Sequence, residues 1–102
     1  MIEKKVIVSE RVLRDLELIT DEIMMVTSVE FAEQYERRLE AEIATLSYMA
    51  TVLPNSQWLK PKRYHKDAKT MTIGKRKLTV IFHIDGDYVI VDKILPSSMI
   101  TY

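Results

Sequence analysis

The two histidines of this chain, His65 and His83, are the side chains best suited to acid–base chemistry, because imidazole titrates near neutral pH. The sequence contains no cysteine, so it predicts neither a disulfide nor thiolate chemistry. Two histidines without a cysteine or an H-E-x-x-H spacing also do not make a zinc site. We therefore expect no metal and no cofactor. A lone histidine on a strand is more often a hydrogen-bonded surface residue than a catalyst.

Positive charge is the second chemical feature, because the chain has no net charge but two opposed halves. Residues 1–50 contain 6 Lys/Arg and 11 Asp/Glu, whereas residues 51–102 contain 9 and 4. Eight of those nine cations lie between Lys60 and Lys77, with Asp67 as the one carboxylate among them. This split favours a polyanion or an acidic partner bound on one face. The alternative is that these side chains only solvate loops and a sheet edge.

The first half of the chain predicts a strand followed by two helices. Lys5–Val8 is a short β-branched run typical of a strand, and Ser9 is placed to cap a helix. Thr27 and Glu30 have the spacing of a capping box, so a second helix should start near Ser28 and end before Pro54. The apolar stripe of the first helix is Val12, Leu16, Ile19, Ile23 and Val26, and that of the second is Ala32, Tyr35, Leu39, Ile43, Leu46, Ala50 and Leu53.

The second half predicts a loop over residues 54–67 and then three strands. Residues 70–73, 77–84 and 88–95 alternate in polarity or are continuously apolar, and Gly74-Lys75 and Asp85-Gly86-Asp87 are turn signals. The expected fold is therefore α+β, with an N-terminal strand, an antiparallel helical hairpin and a three-stranded antiparallel sheet. The helices should cover one sheet face and leave the other open.

The open face is where we expect a partner to bind. Period-2 alternation places threonines and His83 on it, with the basic loop at its flank. A surface of cations and hydroxyl groups suits phosphate binding, although threonine is also simply a good strand former. The threonines predicted on this face are Thr70, Thr72 and Thr79. The predicted partner-binding residues are Lys60, Lys62, Arg63, Lys75, Arg76, Lys77 and Thr79.

The length and the apolar runs limit the organisation of the chain. Residues 1–102 are expected to form one domain with a core too small for a large enclosed cavity. The N-terminus lacks the apolar core of a signal peptide, and no run approaches the roughly 18 apolar residues of a membrane span. We therefore expect a cytoplasmic protein without a membrane partner.

Two segments resemble the RelE/ParE toxin superfamily of bacterial type II toxin–antitoxin systems. The first, Lys5 to Ile19, reads KVIVSERVLRDLELI and is similar to the family's opening strand, Ser cap and Asp-Leu helix. The second, Lys77 to Leu95, reads KLTVIFHIDGDYVIVDKIL and resembles its Arg-x-x-Tyr-x-x-x-Gly-Asp-x-Val-x-Ile hairpin. The resemblance implies a compact toxin fold wrapped by a cognate antitoxin. It also implies either ribosome-dependent mRNA cleavage or poisoning of DNA gyrase, as in plasmid stabilisation systems.

The chain departs from the family where the RelE-like branch carries its catalytic cations. Aligned on Phe82 and the Asp-Gly-Asp turn, the usual arginine position falls on Thr79, although a slip of two residues would place Lys77 there. The His/Arg segment after the last strand falls on residues 96–98, and Tyr102 remains as a terminal aromatic. A hydroxyl group cannot supply the charge that stabilises a phosphorane-like transition state.

The sequence therefore predicts a toxin-like component that acts by binding a gyrase-type or ribosome-type target and is neutralised by an antitoxin. The alternatives are a ribosome-dependent mRNA endoribonuclease with a rearranged site, or an inactive chromosomal relic. A homodimer is the other assembly that the sequence leaves open. The candidate catalytic residues of the rearranged site are Arg63, His65, Lys77, His83 and Tyr102.

Overall fold

Residues 3–100, the part of the chain that this computed structural model describes, form a four-stranded sheet with helices packed against it. One strand precedes the long helices in the chain, and the other three strands follow them. In chain order the elements are β1 (Lys5–Val8), α1 (Glu10–Val26), α2 (Val29–Ala44), α3 (Leu46–Met49), a 3₁₀ turn (Ala50–Val52), α4 (Leu59–Lys62), β2 (Lys69–Ile73), β3 (Leu78–Asp85), β4 (Tyr88–Pro96) and a second 3₁₀ turn (Ser97–Met99).

The strand order is β1-β4-β3-β2, so β3 and β4 are the central strands, and the nearly continuous apolar sequence of β4 is typical of that position. The last three strands pair antiparallel, which confirms that part of the predicted α+β fold. β1 joins them as a fourth strand and runs parallel to β4, with Lys5 opposite Tyr88 and Val8 opposite Val91. The sheet is therefore mixed rather than a three-stranded antiparallel one, because β1 pairs with the free edge of β4.

Both long helices begin at a serine cap. Ser9 accepts a hydrogen bond from the Val12 N–H, and Ser28 accepts one from the Phe31 N–H. The start of the second helix is thus confirmed, but its cap is Ser28 and not the Thr27 of the predicted capping box. The Thr27 hydroxyl instead donates to the Ile23 carbonyl at the end of α1.

The predicted second helix is broken at Thr45, whose hydroxyl donates to the Glu42 carbonyl at 2.6 Å. Side-chain bonds of this kind compete with the helical backbone pattern and bend helices. The buried stripe nevertheless continues through the break, because Leu39, Leu46 and Ala50 are all at most 1% exposed. The stripe of α1 ends earlier than predicted, since Val26 at its end is 79% exposed.

The main core lies between the helices and one face of the sheet. Val12 and Leu16 of α1 meet side chains from α2, α3 and the central strands there. The alternation of β3 predicts that Leu78, Val80, Phe82 and Ile84 share one face, and these residues all pack into this core. The buried strand residues of this core are Ile73, Leu78, Val80, Phe82, Val89, Val91 and Ile94.

The other sheet face is covered at its centre, so the predicted open face is wrong there. Ile81 is fully buried in a second cluster with Ala68, Leu95 and Ile100, against which Tyr64 packs. Residues 59–68 and 97–100, called here the covering layer, thus fold over the strands. The segment from 54 to 67, predicted as loop, contains α4. Its lack of periodicity concealed this packing because a four-residue helix is too short to show a repeat.

Among residues 3–100, no helix combines the length and the apolar character needed to cross a membrane.

Candidate functional site

A β-bulge in β4 creates the most distinctive polar site. Phe82 pairs with Val91 and Ile81 with Lys93, so Asp92 is an extra residue between them. Its carboxylate oxygen lies 2.7 Å from Nδ1 of His83 on the neighbouring strand. Because a carboxylate only accepts, the His83 Nδ1–H is the donor. Bulges often re-aim a side chain in this way near functional sites.

His65 of the covering layer stacks on His83. The two ring centroids are 3.9 Å apart and the rings are inclined by 2°. The Asp67 backbone N–H donates to Nδ1 of His65 at 3.0 Å, which places the proton of a neutral His65 on Nε2. Neutral His83 has the opposite tautomer, with a proton on Nδ1 and Nε2 free to accept. The site therefore combines an oriented base with a neighbouring donor, which is the arrangement that general acid–base chemistry requires.

The site is partly shielded from water. The His83 and Asp92 side chains are 15% and 18% exposed. Such burial strengthens their hydrogen bond relative to one in bulk water and still leaves an edge that a ligand could reach. The Arg11 guanidinium lies 5.8 Å from the centre of the Tyr64 ring, so α1 contacts the residue that precedes His65.

The structure brings the candidate catalytic residues His65 and His83 together and places Lys77 far from His83 along β3. His65 and His83 are stacked, and Arg63 is exposed at the end of α4. Lys77 precedes β3 and is six residues from His83, or about 20 Å along an extended strand. Tyr102 lies outside the described residues.

Asp92 was missed by sequence reasoning, and so was the role of Asp15. A single carboxylate inside the apolar run of β4 was the available signal for Asp92. Asp15 of α1 accepts from Lys93 Nζ at 2.7 Å and from the Ile94 N–H at 3.3 Å. It thereby satisfies the edge of β4 just beyond the point where pairing with β1 ends.

Most of the predicted partner-binding residues are exposed, in two groups, but Lys60 is half-buried and Thr79 is buried. Lys62 and Arg63 are exposed on the covering layer, whereas Lys60 is half-buried. Lys75, Arg76 and Lys77 are exposed on the turn between β2 and β3, here called the basic turn. Thr79 was predicted on the binding surface, but it is only 4% exposed, and its hydroxyl oxygen lies 2.9 Å from that of Ser97. The covering layer therefore removes Thr79 from any binding surface.

Between α1 and α2 lies a carboxyl group whose pKa is raised. Desolvation raises the pKa of Glu40, an exposed residue, above its usual 4.5, and a hydrogen bond with Glu36 and the negative charge of Glu36 raise it further. The Thr20 hydroxyl donates a hydrogen bond to the Glu36 carboxylate at 2.8 Å. These carboxyls lie between α1 and α2 and make no metal site. Among residues 3–100, no group of three or more His, Cys, Asp or Glu side chains could hold a metal ion.

Comparison with known proteins supports the fold. The structure is similar to a chain of the "Chromosomal ParDE TA system from P. aeruginosa", with a TM-score of 0.76. The match covers 94% of this chain and 98% of that chain at 14% sequence identity. No protein-family model and no curated protein matches the chain. The neighbour is a toxin–antitoxin system, in agreement with the RelE/ParE resemblance, and at this identity the likeness is one of fold.

Proposed function

We propose that this protein is the toxin-like component of a type II toxin–antitoxin system and acts by binding a macromolecular target. The observation that carries this proposal is the shared fold, which extends over nearly the full length of both compared chains. A cognate antitoxin would neutralise the protein, and a gyrase-type or ribosome-type assembly would be its target.

Binding rather than catalysis is favoured by the position of the cations. In the alignment used above, the usual arginine position falls on Thr79, which is buried and hydrogen-bonded to Ser97. A buried hydroxyl cannot reach a scissile phosphate or stabilise its developing charge. The exposed cations of the predicted partner-binding set lie on the basic turn and on the covering layer, where they can meet an acidic partner.

Expression in a bacterial host tests this proposal. The chain is produced alone and together with the product of the adjacent open reading frame, and growth and co-purification are followed. We expect growth arrest that the neighbour relieves, and a stable complex of the two proteins. Equal growth in both cases without a co-purifying partner would contradict the proposal.

Ribosome-dependent mRNA cleavage is the second candidate function, and the His83–Asp92 pair favours it. An imidazole oriented by a carboxylate is a general base that could deprotonate the 2′-hydroxyl of RNA. In this function the exposed Arg63 at the end of α4 would have to supply the cation for the phosphate. This reading needs His83 but not Lys77, because Lys77 lies at the other end of β3.

A cleavage assay on translating ribosomes separates the two functions. If the protein is a ribonuclease, wild type cleaves mRNA, His83→Ala does not, and the matched Lys77→Ala variant retains cleavage. Absence of cleavage by a protein that still arrests growth would leave binding as its mode of action.

A further inference from the structure

The tip of the helical hairpin and the basic turn enclose a groove that no part of the proposed catalytic chemistry uses. Its volume is about 310 Å³. Apolar side chains from α1 and α2 form its floor, and cations from α2 and the basic turn form its walls. The residues that carry the argument are Ile23, Phe31, Tyr35, Arg38, Lys75 and Lys77.

The groove adjoins the end of the helical hairpin, which carries exposed apolar side chains. Phe31 is 50% exposed, and the adjacent end of the hairpin adds Met25 at 85%, Val26 at 79% and Val29 at 51%. Large side chains exposed together in this way mark interaction sites in soluble proteins. Phe31 directly follows the cap-bonded start of α2, so its backbone is fixed while its ring stays accessible.

The walls are positively charged. Arg38, Lys75 and Lys77 are exposed, and the one carboxylate of the lining, Glu42, already accepts the Gly74 N–H at 3.0 Å. Lys75 and Arg76 have φ values of 58° and 70°, a left-handed backbone that non-glycine residues rarely adopt. Strained residues of this kind persist where the surrounding structure holds them and cluster at binding sites.

These observations point to one class of occupant. We propose that the groove binds an amphipathic segment of a partner protein, with apolar side chains on the floor and Asp or Glu side chains against Arg38, Lys75 and Lys77. The inference rests on the proposed function in that an antitoxin segment would be such a ligand. Apolar anchors within a charged rim are the usual form of segment-in-groove recognition.

A peptide fits this surface better than RNA or an anionic membrane. The carboxylate of Glu42 lines the groove together with Arg38, Lys75 and Lys77. A nucleic acid or an anionic bilayer presents closely spaced negative charge that would be repelled by this carboxylate. A peptide can place its few carboxylates opposite the cations alone.

Peptide selection on the purified full-length protein tests the occupant. A displayed library of random peptides is panned on wild type, with the Lys75→Glu/Lys77→Glu variant used for counter-selection. We expect enrichment of sequences that combine Asp or Glu with spaced Leu, Ile, Met or aromatic residues. Failure to enrich acidic, apolar peptides would overturn the proposal.

Fluorescence anisotropy with one enriched, fluorescein-labelled peptide then tests the groove. Phe31→Ala should weaken binding about 30-fold, as expected for loss of a central anchor. Lys75→Glu/Lys77→Glu should weaken it by roughly tenfold or more. The matched controls are Lys5→Glu/Arg14→Glu for charge and Val52→Ala for exposed apolar area, and both should leave the Kd within about twofold. Thermal melts check that each variant is folded.

The remaining outcomes decide against the groove. An enriched peptide whose Kd does not respond to the groove variants binds elsewhere. Binding of single-stranded RNA or of phosphatidylserine vesicles that is lost in Lys75→Glu/Lys77→Glu, without any enriched peptide, would assign the surface to those ligands. Because this assay does not measure growth, an absence of toxicity refutes the proposed function and leaves the result on the groove standing.

Discussion

Two glycines illustrate how much a single residue can depend on its surroundings. Gly74 and Gly86 both have left-handed backbones, with φ values of 58° and 61°. A Cβ at Gly74 would lie 3.2 Å from the Tyr35 hydroxyl and 3.4 Å from Leu39 Cδ2, whereas one at Gly86 would meet nothing within 4 Å. The first glycine therefore serves both the turn and the packing against α2, and the second serves the turn only.

Alanine substitutions should separate these two contributions. Gly86→Ala should lower the free energy of unfolding by the left-handed backbone cost alone, about 1–2 kcal/mol. Gly74→Ala should cost more, because the side chain also crowds Tyr35 and Leu39. Urea denaturation of both variants measures the difference. Equal losses would contradict the close approach at Gly74.

Glu40 provides a pH test at the residue scale. Desolvation and Glu36 raise its pKa. At a pH between 4.5 and this raised pKa, the folded state therefore binds more protons than the unfolded state. Stability should therefore fall as pH rises through this window. Glu40→Gln should flatten that part of the curve, with Glu22→Gln at an exposed position of α1 as a control. Urea midpoints measured across the acidic range test this. If the Glu40 carboxyl were unperturbed, the midpoints of wild type and Glu40→Gln would change with pH in the same way.

At the scale of elements, serine caps set the start of both long helices. The Ser28 hydroxyl accepts from the Phe31 N–H at 3.1 Å, while the Thr27 hydroxyl is bonded to the preceding helix. The cap of α2 is thus one residue later than the Thr27–Glu30 spacing predicted. Since α2 presents Phe31 and Arg38, its cap also fixes one side of the groove.

Removal of each hydroxyl distinguishes the two cap assignments. Ser28→Ala should cost about 1 kcal/mol of stability, the usual value of an N-cap bond. Thr27→Ala should cost less than about 0.5 kcal/mol, because its exposed hydroxyl serves a carbonyl at a helix end. Thermal or urea unfolding measures both. A larger loss of stability for Thr27→Ala than for Ser28→Ala would show that Thr27 caps α2, as the capping box predicted.

Elements with strong local signals were predictable and weak ones were not. β1, the start of α1 and the three C-terminal strands follow from β-branched runs, a serine cap and alternation over several residues. The break at Thr45 and the helix α4 have no comparable signal. One depends on a hydroxyl that bonds a carbonyl, and the other spans four residues including Pro61.

At the scale of the whole molecule, the covering layer is the feature that changes the functional reading. It buries Ile81 and Thr79 and brings His65 onto His83. A partner would therefore have to bind another surface of the molecule. The centre of the sheet face is not available to it.

The stability of one variant tests this layer directly. Ile81→Ala should cost about 2–5 kcal/mol, as for any fully buried aliphatic side chain. Val26→Ala is the matched control, because this aliphatic residue is 79% exposed and should cost within about 0.5 kcal/mol. If Ile81→Ala were as mild as the control, the second face would be open after all.

The sequence by itself determined the local structure and the charge asymmetry. Alternation, caps and turn residues act over a few positions, so they can be recognised without the fold. Only the tertiary structure decided that β1 pairs with β4, that Asp92 reaches His83 and that Thr79 is buried. These contacts join residues that are distant in the chain or displaced by a bulge. Their geometry follows from the packing of all layers together, which no local pattern specifies.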